Sequence, residues 1–184
     1  MNREKVRNEI VGHNVILKQI TMQDTDLIVK WRNNPEVMKN FIYRGEFTHE
    51  THKHWMETKV ARGEVLQYII MTKRDRIPVG SVYYRDIDRN NSAEYGVFIG
   101  EDSARKKGVG SETARLFTRY GIEELGLHRI YLRLLAGNDI AYRTYEKAGF
   151  KKEGVFRDMV YLDGEYRDVI FMSLLEEDIP TEDL

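Results

Sequence analysis

The sequence predicts a mixed α/β fold of the α+β kind: a twisted, mostly antiparallel central sheet of about seven strands with helices on both faces. Three observations predict it. Three strand-like runs follow one another between residues 66 and 99 with no helix among them, which argues for antiparallel neighbours. A helical run then separates the strand ending at Ile99 from the next at Arg129, which demands a crossover and a parallel or splayed pair. Asp163-Gly164 between two long strand-like runs is a hairpin signal.

Taken in order, Val15 to Ile20 reads as a first strand. Thr21 offers an N-cap for a helix that ends before Pro35, because a proline disfavours helical backbone in the residue before it. Thr48 caps a second helix, His49 to Arg62, ended by Gly63. Leu66 to Met71, Pro78 to Ile87 and Ser92 to Ile99 are apolar, Val- and Tyr-rich strands parted by polar turns. A polar loop leads to a helix over Ser111 to Leu125, with Ala114, Phe117, Tyr120 and Leu125 at helical spacing. Arg129 to Leu135 is a strand, and Asn138 to Ala148 a helix closed by Gly149. Val155 to Leu162 and Glu165 to Leu175 complete the sheet.

Composition excludes several classes of function. The 184 residues suit a single domain spanning 1–184, with a core of about 15–175 and short tails, and no linker-like stretch divides them. A formal net charge of -1 leaves no global basic field to gather nucleic acid or anionic lipid. No apolar run reaches the ~18 residues of a membrane span, and the first residues lack the apolar stretch of a secretion signal. The absence of cysteine removes thiol nucleophiles and thiolate metal sites, and fits a cytoplasmic protein. His49, His52 and His54 cluster, but only His49 and His52 share a helical face, so no metal site is expected.

The informative segment is Arg105-Lys106-Lys107-Gly108-Val109-Gly110-Ser111. It joins a strand to an amphipathic helix. Its glycines allow a tight turn and close approach of the backbone to a ligand. The first N–H groups of the helix lack intrahelical partners and, with the helix dipole, favour an anion. Arg105, Lys106 and Lys107 add positive charge, so a pyrophosphate is the natural guest. A Rossmann loop would want Gly or Ala where Thr113 stands, and a P-loop would want Lys after the glycine rather than before it. A plain surface turn is the other reading.

Arg105-Lys106-Lys107-Gly108-Val109-Gly110 resembles the coenzyme A loop, Gln/Arg-x-x-Gly-x-Gly/Ala, of the GCN5-related N-acetyltransferase (GNAT) superfamily. Ala93-Glu94-Tyr95-Gly96-Val97-Phe98-Ile99 resembles the family's splayed central strand. Asn138-Asp139-Ile140-Ala141 through Tyr145-Glu146-Lys147-Ala148-Gly149-Phe150 is similar to its following helix. The motifs stand in the family's order, and the likeness covers Val15 to Leu175.

The resemblance implies transfer of acetyl from acetyl-CoA to a primary amine, with no metal. Such an amine is mostly protonated at neutral pH, so a base or a desolvating pocket must free its lone pair. Glu94 is the candidate base, acting directly or through one water; a structural pair with a neighbouring Arg or Lys is the alternative. A backbone N–H of Val97 or Phe98 is the candidate oxyanion donor if the strand opens at a bulge near Gly96. Val97 and Ile99 are expected to pair with the pantetheine arm. Tyr145, at the position of the family's usual tyrosine acid, is the candidate proton donor to the departing thiolate, with Tyr142 one turn earlier as the alternative. Asn138 caps its helix and is a candidate contact to the coenzyme arm.

For the acceptor, the resemblance points to the region holding Trp31, Arg32, Asn33 and Trp55. The pattern is similar to both ribosomal-protein N-terminal acetyltransferases and amino-sugar-nucleotide acetyltransferases, with spermidine acetyltransferases sharing the layout. Aromatic faces and an arginine suit a nucleotide sugar. A polyamine would favour clustered carboxylates, and Glu46, Glu50 and Glu57 are nearby but interleaved with basic groups. Trp31 as a core anchor and the whole chain as a non-catalytic acyl-CoA sensor remain alternatives. A homodimer through the final hairpin is compatible with the sequence and not demanded by it.

Overall fold

A computed structural model describes residues 1–181. Eight strands form one sheet in the order β1-β2-β3-β4-β5-β6-β8-β7. They are β1 (Glu9–Val11), β2 (Val15–Gln19), β3 (Leu66–Thr72), β4 (Pro78–Arg85), β5 (Ser92–Ile99), β6 (Arg129–Leu135), β7 (Lys151–Leu162) and β8 (Glu165–Leu174). The mixed, mostly antiparallel sheet is the expected one with one strand added. β1 is three residues long, too short for a periodic signal, and it forms only by pairing with β2.

Five α-helices cover the sheet: α1 (Thr25–Arg32), α2 (Pro35–Met38), α3 (His49–Trp55), α4 (Val109–Arg119) and α5 (Asp139–Lys147). The second predicted helix is split in kind, because a turn of π-helix, Met56–Val60, continues α3. A similar turn, Tyr120–Glu124, continues α4. Thr48 caps α3 as expected, accepting from the Thr51 N–H at 3.1 Å. The start of α4 lies at Val109, two residues before the predicted one, with Gly108 as its cap.

Successive residues of a strand point to opposite faces, and each face has its own core. On one, Tyr68, Val82, Tyr84, Tyr95, Ile130 and Leu132 pack with Phe117 of α4. The Tyr84 ring stacks on Phe117 with centroids 4.2 Å apart, and its hydroxyl donates to the Phe117 carbonyl at 2.6 Å. On the other, Ile69 and Phe98 pack with Ile28 and Trp31 of α1 and with Val37 of α2.

The one parallel pair controls the shape of the sheet. β5 and β6 are in register only at Ser92↔Arg129, Ala93↔Ile130 and Glu94↔Tyr131. β5 runs on to Ile99 and β6 to Leu135 without pairing to each other. The strands therefore splay from Glu94 onward, and an unpaired backbone edge lines the cleft between them. The break arises from this divergence and not from a bulge. Pairing of β5 with β4 is unbroken from Arg85↔Glu94 to Gly80↔Ile99. Gly96 has a different role from the one predicted: a Cβ there would lie 2.3 Å from the Tyr83 ring directly opposite.

Candidate active site

The cleft between β5 and β6 has a backbone-built end and a side-chain-built end. At the first, Gly108 caps α4 with φ +82°, a conformation that costs an L-residue with a Cβ roughly 1–2 kcal/mol. Glu112 N–H is the first of the helix to find a carbonyl, that of Gly108, at 2.9 Å. The N–H groups of Val109, Gly110 and Ser111 come before it, and no side chain caps them. A Cβ at Gly108 would meet nothing within 4 Å, and one at Gly110 only Ile99 at 4.0 Å. The helix end is thus an open, uncapped donor set beside the end of β5, which fits the pyrophosphate of coenzyme A.

Lys106 and Lys107 are exposed at this end. Arg105 is differently employed. Its Nε–H donates to the Ile99 carbonyl at 3.2 Å and its Nη1 pairs with Asp102 at 2.7 Å. It latches the loop onto β5 at the Ile99 carbonyl instead of projecting its charge outward. Val97 and Ile99 turn their side chains to the first core, and Phe98 is buried in the second against Trp31 and Phe41.

On the face of the first core, α5 brings Tyr145 against Tyr95 and Phe150, with ring centroids 5.9 and 5.8 Å away. Burial, reinforced by nearby Tyr83, raises the Tyr145 pKa above the ordinary phenol value. The group holds its proton at neutral pH, as a donor must. Tyr142 packs on the same core. Asn138 caps α5, its Oδ1 accepting from the Ala141 N–H at 3.2 Å, while its Nδ2 donates to Asn40 at 3.3 Å. One N–H of Nδ2 and one acceptor site of Oδ1 stay free of protein partners.

The opposite face holds a charged cluster. Glu94 is 4% exposed. Its Oε1 accepts from Arg85 Nη2 and Arg133 Nε, both at 3.0 Å. Its Oε2 accepts from Arg85 Nε at 3.1 Å and Arg133 Nη2 at 2.8 Å. Burial acts to raise its pKa, but the two guanidiniums outweigh it and hold the carboxyl below the ordinary glutamate value. Two arginines on the two oxygens make a poor proton acceptor, so the expected base is in fact the centre of a clamp. That clamp ties β4 and β6 to the last paired rung of β5.

The expected acceptor residues separate into one that faces the cluster and three that build its support. Trp31 is fully buried, its Nε1–H donating to Glu101 at 2.7 Å; it is a core anchor. Trp55 packs on the same core and donates to buried Gln67 at 3.0 Å. Asn33 pins the backbone of Phe47 from both sides, donating to its carbonyl at 2.6 Å and accepting from its N–H at 2.9 Å. Arg32 lies over the rings of Phe41 and Phe47, 3.8 and 5.2 Å from their centroids.

Sequence reasoning missed Tyr43, Tyr83, Arg85 and Arg133. Arg133 lies over Tyr43 at 5.7 Å. Arg85 was accessible in principle, because the predicted hairpin of two strands puts it opposite Glu94. Tyr43 lies in a loop, and nothing local marks it. Among the described residues no set of His, Cys, Asp or Glu is placed to hold a metal. His52 instead rests against Thr25, Nδ1 to Oγ1 at 3.0 Å. No helix among them is long and apolar enough to cross a membrane.

A splayed parallel pair beside an uncapped helix start is what the family resemblance required, and comparison with known proteins agrees. The family model described as an acetyltransferase (GNAT) domain matches residues 14–151, most of the chain. The chain belongs to the GNAT acetyltransferase family. It is 24% identical over 169 residues to YnaD, an uncharacterized N-acetyltransferase of Bacillus subtilis, covering 92% of this chain and 98% of that protein. It is 25% identical over 171 residues to the spermidine N(1)-acetyltransferase of Escherichia coli, covering 90% of this chain and 88% of the relative. The fold is shared with the crystal structure of a spermidine N-acetyltransferase from Vibrio cholerae in complex with CoA and spermine. The TM-score is 0.83 at 22% identity, over 90% of this chain and 97% of that one. This GNAT protein is an acetyl-CoA-dependent N-acetyltransferase.

Proposed function

We propose that this acetyltransferase modifies a primary amine by direct attack in the β5–β6 cleft. The observation that carries this reading is the divergence of β5 from β6 after Glu94 beside the open start of α4. The free N–H groups of Val109, Gly110 and Ser111, with Lys106 and Lys107, would hold the coenzyme's pyrophosphate. The edge of β5 at Val97 and Phe98 would receive the pantetheine arm and a developing oxyanion. Acetyl-CoA supplies an activated acyl group as a thioester. Tyr145, holding its proton, stands ready to give it to the departing sulfur, a light task because thiol pKa values lie near ~8.5.

With Glu94 clamped, no strong base is required: the proton shed by the acylated nitrogen replaces the one that Tyr145 gives to sulfur. An ammonium that enters beside Arg32, Arg85 and Arg133 meets three positive charges against buried Glu94 and the exposed, more distant Asp86. Its pKa falls, and the neutral amine is the form the site favours. The acceptor is a small-molecule amine, such as an amino-sugar nucleotide, or a protein N-terminus. Kinship with proteins named spermidine acetyltransferases supports a polyamine as the second reading. A non-catalytic sensor is disfavoured by the retained Tyr145.

The test is thiol release from acetyl-CoA over polyamines, peptide N-termini and amino-sugar nucleotides. The expected result is turnover with at least one class, with kcat/KM rising toward the amine's own pKa. A protein that fails to bind acetyl-CoA would remove the reading.

A further inference from the structure

Resting on the transferase reading, the acceptor face carries a sharper statement about its substrate. We propose that the acceptor amine also bears an anionic group, a carboxylate or a phosphate, and that Arg32 receives it.

The charge inventory of the face leads there. Arg85 and Arg133 share the carboxylate of Glu94, and Arg85 also has exposed Asp86 3.8 Å away. Arg44, at the edge, pairs with Asp163. Arg32 pairs with no carboxylate among the described residues, and its Nε is buried without a hydrogen-bond partner. A half-buried guanidinium without a counter-ion is costly, and burial pulls on its pKa accordingly. The structure nonetheless holds it firmly. Phe41 and Phe47 supply aromatic faces for it, and Asn33 fixes the Phe47 backbone with two hydrogen bonds. A cation prepared in this way, with its fork unfilled, is the half of an ion pair that a ligand completes.

Position ties this cation to the reaction. Arg32 lies within electrostatic reach of Tyr83 and Arg85. Tyr83 stands directly opposite Gly96, just past the last β5–β6 rung, where the cleft opens. An anion on Arg32 therefore places the rest of its molecule beside the open edge of β5. The same field repels a polyamine, whose charges are all positive. Kinship with spermidine acetyltransferases and the charge of this face point in opposite directions, and the face is what touches the acceptor.

The test uses matched amines with and without the anion: ethanolamine against O-phosphoethanolamine, glycinamide against glycine, and glucosamine against its 6-phosphate, with spermidine as the cationic extreme. Thiol release is measured for each, and binding of each to protein saturated with coenzyme A is measured by calorimetry. Saturation removes the pyrophosphate site from competition. The anionic member of at least one pair should be preferred by roughly 10- to 100-fold, the worth of one charge-assisted hydrogen-bonded pair. The phosphate and carboxylate arms tell the two anions apart. Arg32→Gln should abolish that preference while coenzyme affinity stays unchanged, Arg32→Lys should restore part of it, and Arg32→Glu should turn the preference toward spermidine. Equal use or binding of both members of every pair, a spermidine preference in the unaltered protein, or an anion preference that survives Arg32→Gln would overturn the proposal. Loss of coenzyme binding in the unaltered protein would instead sink the transferase reading beneath it.

Discussion

The two ends of the cleft are made of different material. At the end proposed for the coenzyme the parts are backbone N–H groups at the start of α4, with exposed Lys106 and Lys107 beside them and no side chain at Gly108 or Gly110. At the end proposed for the acceptor the parts are side chains, and the residues come from α1, the loop after α2, β4, β5 and β6. Under the proposed reading, backbone donors would address what is common to all reactions of the class, the diphosphate of the coenzyme, and side chains what varies, the acceptor. The first end is specified by a few contiguous residues, the second by a three-dimensional meeting of distant ones, so the second can change without disturbing the first.

That contrast makes the largest effect a change to the backbone end. Replacing Gly108 and Gly110 together by valine strains a positive φ and puts methyl groups in the open space above the helix start. Loss of two charge-assisted hydrogen bonds should cost about 3–6 kcal/mol of coenzyme binding, read by calorimetry, with acceptor-side structure unchanged. Near-normal affinity would erase the distinction between the ends.

Next in size is the clamp. Glu94→Ala leaves Arg85 and Arg133 facing each other without their carboxylate, and should destabilise the fold by about 3 kcal/mol in denaturant titration. Its acid behaviour follows in sign. The folded pKa lies below the unfolded one, so the clamp's contribution is complete above about pH 4.3 and is lost as pH falls through the lower folded value. A stable variant that loses only turnover would restore Glu94 to the role of base.

Smaller again is Tyr145→Phe, expected to lower kcat on the order of 10- to 100-fold with coenzyme affinity unchanged, since thiolate is a tolerable leaving group. An unchanged kcat would move the proton donor elsewhere, Tyr142 being the first place to look. The smallest effect belongs to His52, which is buried, keeps an unpartnered Nε2, and has a pKa lowered by desolvation. The unfolded chain takes its proton first as pH drops below about 6.5, so stability falls from there toward the lower folded value. The slope of melting temperature across that window should flatten in His52→Gln.

Legibility followed the same division. The bounds of β5 and β6 were readable to the residue, because each is a compact apolar run between polar turns. The loop from Arg105 to Ser111 was readable because its chemistry is local. Arg105 itself was misjudged: its charge was plain in the chain, but its capture by the Ile99 carbonyl and Asp102 depends on how the loop folds back. Trp31 was marked as an acceptor contact because tryptophan serves binding and packing alike, and only the burial of α1 against the sheet shows that it packs.

By itself, the sequence determined the order of the main strands and helices, without β1 and α2, together with the mixed sheet and the glycine-rich turn into α4, since periodicity, glycine placement and helix ends act over a few residues. Tertiary structure alone decided that Glu94 is clamped, that Arg32 stands without a carboxylate, and that β5 and β6 part after three rungs. Those are facts about which side chains and strand edges meet across the sheet, and a charge finds its counter-ion in space rather than along the chain.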